Sequence, residues 1–312
     1  MKKHLSIIIF SVILSGAFFF EIVYAQNGNM HNFDVLYQED YERLFGEGKY
    51  SELFDHLQIW EAKEPDNPEL YIAYFNFYIN RSRFSGVSIV EEKSGSGAVL
   101  ELLDPETGDI AGYIQDTVQY SNEDIARAIE YLDRGLNCAP DRLDMYFGKI
   151  HILNEVELYE RAGSTLLFAI EFSKQINNRW LWAGGEYIEN GEAVFLESIQ
   201  DYYGLWLEEE TEETFEQVKR CTEKQIELYP DNIFAYNVLA VYYLLKGQYM
   251  ESLHIFLGAE RIDKNDCIVL ANIGIVYLRM NEKQKAEDYF NRVLEIGDEQ
   301  DKKYVRYYME QL

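Results

Sequence analysis

Two stretches near the C-terminus, AVYYLLKGQYMESLHIFLGAERIDKND from residue 240 and GIVYLRMNEKQKAEDYFNRVLEIGDEQ from residue 274, place the same residue types 34 positions apart. Counted from Ile233, the first unit has Tyr236, Leu239, Ala240 and Tyr243 at positions 4, 7, 8 and 11. Gly247 and Tyr249 then mark a turn, and Ser252, Phe256 and Ala259 fall at positions 20, 24 and 27. The unit beginning at Cys267 puts Leu270, Ile273, Gly274, Tyr277, Asn281, Ala286, Phe290 and Val293 in the same places. These spacings lay an apolar stripe along each of two helices, with small residues where the helices cross and a glycine or asparagine closing the first. One such hairpin cannot bury its stripe alone, so the pattern demands a stack of helix pairs.

The same frame runs backwards through the chain. Pro230 closes a degenerate unit at 199–232 containing Tyr202, Leu205 and Val218. Residues 143–176 supply Tyr146, Leu153, Tyr159, Ala162, Leu166 and Ala169, and residues 34–67 supply Tyr37, Leu44, Leu53, Leu57, Trp60 and Pro65. A further unit is split: 68–80 give a first helix with Tyr71, Tyr74 and Tyr78, and 123–142 give a second with Ala128, Leu132, Gly135 and Pro140. Between them, residues 81–122 alternate apolar and polar residues and contain DPETGD, which predicts an inserted β-hairpin or three-stranded flap. Residues 177–198 form a second insertion rich in Trp, Gly and Asn, and 301–312 a C-terminal capping helix.

This pattern resembles the tetratricopeptide repeat (TPR), whose 34 residues carry a large residue, Leu-Gly, Tyr, then Ala, Phe, Ala and a final Pro. The resemblance spans most of the chain and implies an all-α, TPR-like α-solenoid of about six hairpins over 34–300. The flap in the second repeat also resembles a feature of uncharacterised exported TPR proteins of Bacteroidetes-type bacteria, which carries no assigned activity. The family implies scaffolding and protein or peptide binding, without catalysis and without a cofactor.

In such solenoids the concave face is lined mainly by first-helix positions 2, 5, 9, 12 and 13. Here the resemblance assigns Phe234, Asn237, Val241 and Leu244 from one unit and Ile268, Ile275, Leu278 and Arg279 from the next, with Phe147 and Tyr203 from earlier ones. A solvated face is polar, so this apolar strip needs a cover: a partner peptide, the chain's own insertions or terminal helix, or a second copy, which leaves a homo-oligomer open. The N-terminal positions, Gln38, Glu42, Ile72, Asn76, Asp144, Phe147 and His151, make a mixed polar and aromatic surface. These positions hold almost no basic residue, so the clamp by which some TPR proteins grip a C-terminal carboxylate is not expected.

Charge narrows the partners. The formal net charge of −27 repels nucleic acid and anionic membrane surfaces, and the basic residues between 279 and 306 are interleaved with acidic ones as on a solvated helix face. The start of the chain has Lys2 and Lys3, an apolar run from Leu5 to Phe20, and Val23 and Ala25 before a cleavage point. That predicts a signal peptide over 1–25, an N-terminal extension over 26–33, and an exported, periplasmic chain with no membrane insertion after cleavage.

Three cysteines, Cys138, Cys221 and Cys267, show no metal-ligand spacing, so no metal site is expected. Cys138 takes the place of Leu228 and Ile262 in other units and reads as a buried structural thiol; a Cys221–Cys267 disulfide stays open. No nucleophile, zinc or phosphate-loop motif occurs, and His4, His31, His56, His151 and His254 never pair at ligand spacing, so no catalytic residue is assigned. The acidic run at 207–213 reads as a solvated loop. A second function class remains: Trp180 and Trp182 in the 177–198 insertion could offer stacking platforms to a sugar, making a carbohydrate-binding or carbohydrate-processing accessory protein. A third is a self-assembling structural protein.

Overall fold

The computed structural model describes residues 34–90 and 99–312. The expected signal peptide, its cleavage point at Ala25 and the 26–33 extension lie outside the described residues. Fourteen α-helices and three strands fill the described chain, which divides into two compact units, one of 34–156 with Leu181–Glu186 and one of Glu157–Trp180 with Tyr187–Leu312.

The first unit runs α1 (Asp34–Gly46), α2 (Tyr50–Lys63), α3 (Pro68–Ser82), β1 (Arg83–Val90), β2 (Val99–Leu103), β3 (Ile110–Tyr120), α4 (Asn122–Cys138) and α5 (Leu143–Glu155). Each helix packs on the next, and α3 and α4 close as a hairpin although the whole flap lies between them in sequence. Their seam is aromatic: Tyr131 stacks on Tyr74 at 4.0 Å and on Tyr78 at 5.5 Å, over a core that includes Leu53, Leu57, Trp60 and Phe77. Ser121 N–H donates to the Ser82 carbonyl at 2.9 Å, so the inserted sheet leaves and re-enters the hairpin at one point. The flap is a three-stranded antiparallel sheet in the order β1-β3-β2, with the last strand in the centre. Its β2–β3 turn is the DPETGD sequence, where Asp104 accepts the backbone N–H groups of Glu106 at 2.8 Å and Thr107 at 3.0 Å.

A buried ion cluster fastens the far end of this unit. Arg142, 2% exposed, sends Nε and Nη2 to the two oxygens of Asp144 at 2.9 and 2.8 Å and Nη1 to Glu69 at 2.5 Å, while Gly184 N–H donates to the same Glu69 carboxylate at 3.0 Å. Burial opposes the guanidinium charge, but the bonds and charges of Asp144 and Glu69 outweigh it and raise its pKa. The starts of α3 and α5 and the 181–186 segment, which pairs with Arg142 through Leu181, are thereby held together.

The second unit runs α6 (Tyr159–Gln175), α7 (Gly191–Ser198), α8 (Gln200–Glu209), α9 (Glu212–Leu228), α10 (Ile233–Leu245), α11 (Tyr249–Ile262), α12 (Cys267–Arg279), α13 (Lys283–Ile296) and α14 (Glu299–Met309). From α9 onward each helix packs on its neighbour in sequence. The expected first-helix stops are both left-handed: Gly247 at φ +73° after α10 and Asn281 at φ +62° after α12, the same repeat position. Asn232 and Asp266 cap α10 and α12 by accepting the N–H groups of Ala235 and Val269. The small-residue crossing is literal, since a Cβ at Gly274 would overlap the Phe290 ring.

The division between the units falls inside the repeat expected at 143–176. Within the second unit α6 takes α9 as its packing partner, drawn in by Gly163, whose missing side chain admits Gln217 and whose carbonyl accepts the Cys221 thiol at 3.4 Å. The capping helix α14 seals α13 with fully buried Val305 and with Tyr308 against Phe290.

Candidate functional site

The strip assigned to partner contact divides by burial. Val241 and Ile275 are each 1% exposed, and Leu244 is buried as well. The cover is the chain itself: α10 is packed on by α8, α9 and α11, and α12 by α11, α13 and α14. Both helices are apolar almost all round, which is the signature of an enclosed helix, so the expectation that these side chains face an open groove is corrected here. Asn237 is buried too and accepts a 2.8 Å hydrogen bond from the amide of Asn272, a polar link between α10 and α12. Phe234, Ile268 and Leu278 remain half-buried and Arg279 is exposed.

The two earlier positions lie inside. Tyr203 has no exposed surface and donates to Gln225 Oε1 at 2.7 Å, and burial drives its phenol far above the ordinary range. Phe147 is buried in the first unit with its ring edge toward Trp182 at 6.3 Å. His151 is exposed on α5.

The sugar platforms are not where the sequence suggests. Trp180 is fully buried against Phe172 and Phe195, and Trp182 is half-buried beside Phe147. A shallow polar hollow of about 730 Å³ does open beside α7, bordered by Asn177, Tyr187, Asn190, Glu197 and Gln200. Its asparagines have backbone reasons to be there: Asn177, Asn178 and Asn190 all sit at positive φ, which Asn tolerates. Asn178 is also spent internally, donating to Glu192 at 2.7 Å and accepting from Tyr229 at 2.8 Å.

The three thiols are free. Cys138, the last residue of α4, is exposed, against expectation, as Ile262 is at the end of α11. Cys221 is buried and its thiol is pushed up to about 12 by burial; the Cys267 thiol rises to about 11 through burial and then the Asp301 carboxylate. Among the described residues no group of three or more His, Cys, Asp or Glu is placed to hold a metal ion, and no helix is long and apolar enough to cross a membrane.

A further open apolar surface belongs to the flap. Strand pairing aligns Ile89, Ile114 and Leu100 in one row across the sheet, with Val87, Val118 and Leu102 on the same face. Ile89 is 72% exposed, Leu100 68%, Val87 64% and Val118 62%. The opposite face is better covered, with Gln115 buried and Ser88 hydrogen-bonded to Thr117 at 2.9 Å. The signal was present in the sequence as an approximate alternation, but alternation does not say which face a neighbour covers.

Comparison with known proteins agrees with the helical repeats. Residues 221–254, from the middle of α9 through α10 into α11, match the family profile described as Tetratricopeptide repeat. No curated protein matches the chain in sequence. Among solved structures, YrrB, described as a TPR protein with an unusual peptide-binding site, is 17% identical, with 61% of this chain and 85% of that one covered at a TM-score of 0.38. TTC0263, a thermophilic TPR protein of Thermus thermophilus, is 16% identical over 60% of this chain and 90% of its own at 0.36. MamA of Desulfovibrio magneticus RS-1 is 15% identical over 86% and 97% at 0.29. With the profile match at 221–254 continued by the α10–α13 hairpins, the chain is a mostly helical protein carrying tetratricopeptide-type repeats and a three-stranded insertion.

Proposed function

We propose that the chain is a non-enzymatic scaffold that holds a protein or peptide partner at the first-helix face of its last repeats. The observation that carries this is the half-buried set Phe234, Ile268 and Leu278, with exposed Arg279, on two hairpins of the repeat type at 221–254. Half-buried apolar side chains, with the exposed Arg279 next to Leu278 at the end of α12, suit an extended or helical segment with an acidic or polar flank. Val241 and Ile275 support this surface from beneath.

The test is site-specific photocrosslinking from position 268 in cells that make the protein natively, beside the pair Phe234→Glu and Leu278→Glu. A single adduct that disappears in the charge variants, whose helical circular dichroism stays unchanged, is the expected outcome. An adduct that persists in those variants removes the site. Val241→Glu is the contrast: it puts an unpaired charge in the interior and is expected to cost about 3 kcal/mol or more, visible in the urea midpoint.

The same reading places the working protein outside the cytoplasm, on the sequence of residues 1–25. A mature N-terminus at Gln26 in a periplasmic fraction is the expected result of N-terminal sequencing, and an intact Met1 in the cytosol would contradict it.

A further inference from the structure

The open face of the flap belongs to the first unit, and the surface on α10 and α12 belongs to the second. Monomeric proteins rarely leave a contiguous apolar patch of this kind uncovered without a use for it. Ile89, Ile114 and Leu100 cross all three strands, and Val87 and Val118 extend the patch toward the base of the sheet. The residues 91–98 that join β1 to β2 read EEKSGSGA and contain no large apolar side chain that could serve as a lid.

Charge selects the occupant. The described residues of the flap carry Glu101, Asp104, Glu106, Asp109 and Asp116 against the single cation Arg83, and Asp116 lies on the apolar face itself, paired across from Val87. The Asp104 carboxyl is held below its ordinary range by the backbone N–H groups of Glu106 and then Thr107, so the turn stays negative. An anionic membrane is repelled by such a rim, and a second copy would bring the same carboxylates to the contact. A segment with apolar residues and Lys or Arg at alternate positions answers both features at once. In the order β1-β3-β2 the outer edges of β1 and β2 have no strand partner among the described residues, so such a segment can also add to the sheet through its backbone.

We propose that the open face and edge of the inserted sheet form a docking surface for an extended partner segment of alternating apolar and basic residues. Added along the outer edge of β2, the segment sets side chains of one parity beside Leu100 and Leu102, where they continue the open face, and those of the other parity beside Glu101 on the opposite face, next to the acidic β2–β3 turn.

The test uses the full chain from Gln26 and two labelled eight-residue peptides, one alternating valine with lysine and one alternating valine with glutamate, followed by fluorescence anisotropy. The lysine peptide is expected to bind at least tenfold tighter than the glutamate peptide and to weaken severalfold between 0.05 and 0.5 M salt. Ile89→Ser with Leu100→Ser removes apolar contact at two exposed sites and is expected to weaken it tenfold or more; Glu101→Gln, which keeps shape and removes charge, is expected to reduce the preference for lysine. Amide exchange of β3 in each variant checks that the sheet still forms. Equal binding of both peptides, no binding of either, or unchanged affinity in both variants overturns the proposal. So does a concentration-dependent dimer in light scattering that the Ile89→Ser, Leu100→Ser pair abolishes, since the occupant would then be a second copy. Crosslinking from position 268 is independent of all these outcomes.

Discussion

A single methyl group added at Gly274 would have to occupy the space of the Phe290 ring, which is fully buried between α12 and α13. Gly274→Ala gains up to about 1 kcal/mol of helix propensity but forces overpacking that costs about 1–3 kcal/mol. A net loss of stability is therefore expected, read as a lower urea midpoint with an unchanged denaturant slope. This contact was legible in the sequence, because positions 8 and 24 hold Ala240 with Phe256 in one unit and Gly274 with Phe290 in the next. The burial of Val241 and Ile275 was not legible to the same degree. Spacing tells which residues leave the helix-helix stripe, but not that α10 and α12 are each packed on by three helices, one of them, α8 or α14, outside the repeat being read. Cys138 shows the same limit, since its register with Leu228 and Ile262 does not say how exposed the end of α4 is.

Whole elements can be exchanged or cut where the chain meets itself. Because Ser82 and Ser121 are hydrogen-bonded, residues 83–120 can be replaced by a short Gly-Ser link without separating α3 from α4. The expected product keeps its helical signal and melts within a few degrees of the parent, while losing whatever docks on the sheet; a collapse of the melting transition would show that the flap holds the hairpin together. Arg142 predicts the opposite. Arg142→Leu leaves Glu69 and Asp144 in a closed site without their cation, a loss of about 3–5 kcal/mol by denaturation, with amide exchange rising first at the starts of α3 and α5. The flap was readable from alternation and from its DPETGD turn, which formed as expected. The choice of α9 by α6 was hidden, because it rests on Gly163 admitting Gln217 from a helix beyond two intervening ones.

At the scale of the molecule, buried thiols and phenols make the fold sensitive to alkali. An unfolded cysteine ionises near about 8.5 and a tyrosine near about 10. Burial holds Cys221, Tyr131 and Tyr289 up to about 12, and carries Tyr74 and Tyr146 higher. Between those limits the unfolded chain releases protons that the folded chain retains. The stability these groups contribute is thus full below about pH 8.5 and falls as pH climbs toward 12, by up to about 1.4 kcal/mol per unit for the fully buried Cys221 and by less for the partly exposed phenols, which solvent screens. Urea midpoints should be level from pH 7 to 8 and drop steeply by pH 11, with Cys221→Ala flattening the first part of that slope. A final consequence follows from the strand order. The central strand β3 is the last of the three to leave a ribosome or a translocation pore, so β1 and β2 wait without a mate until Tyr120 has emerged. Until then α3 also lacks α4, and a chain halted anywhere between 83 and 120 presents sticky, half-made strands to chaperones; completion of one strand closes both the sheet and the helix pair around it.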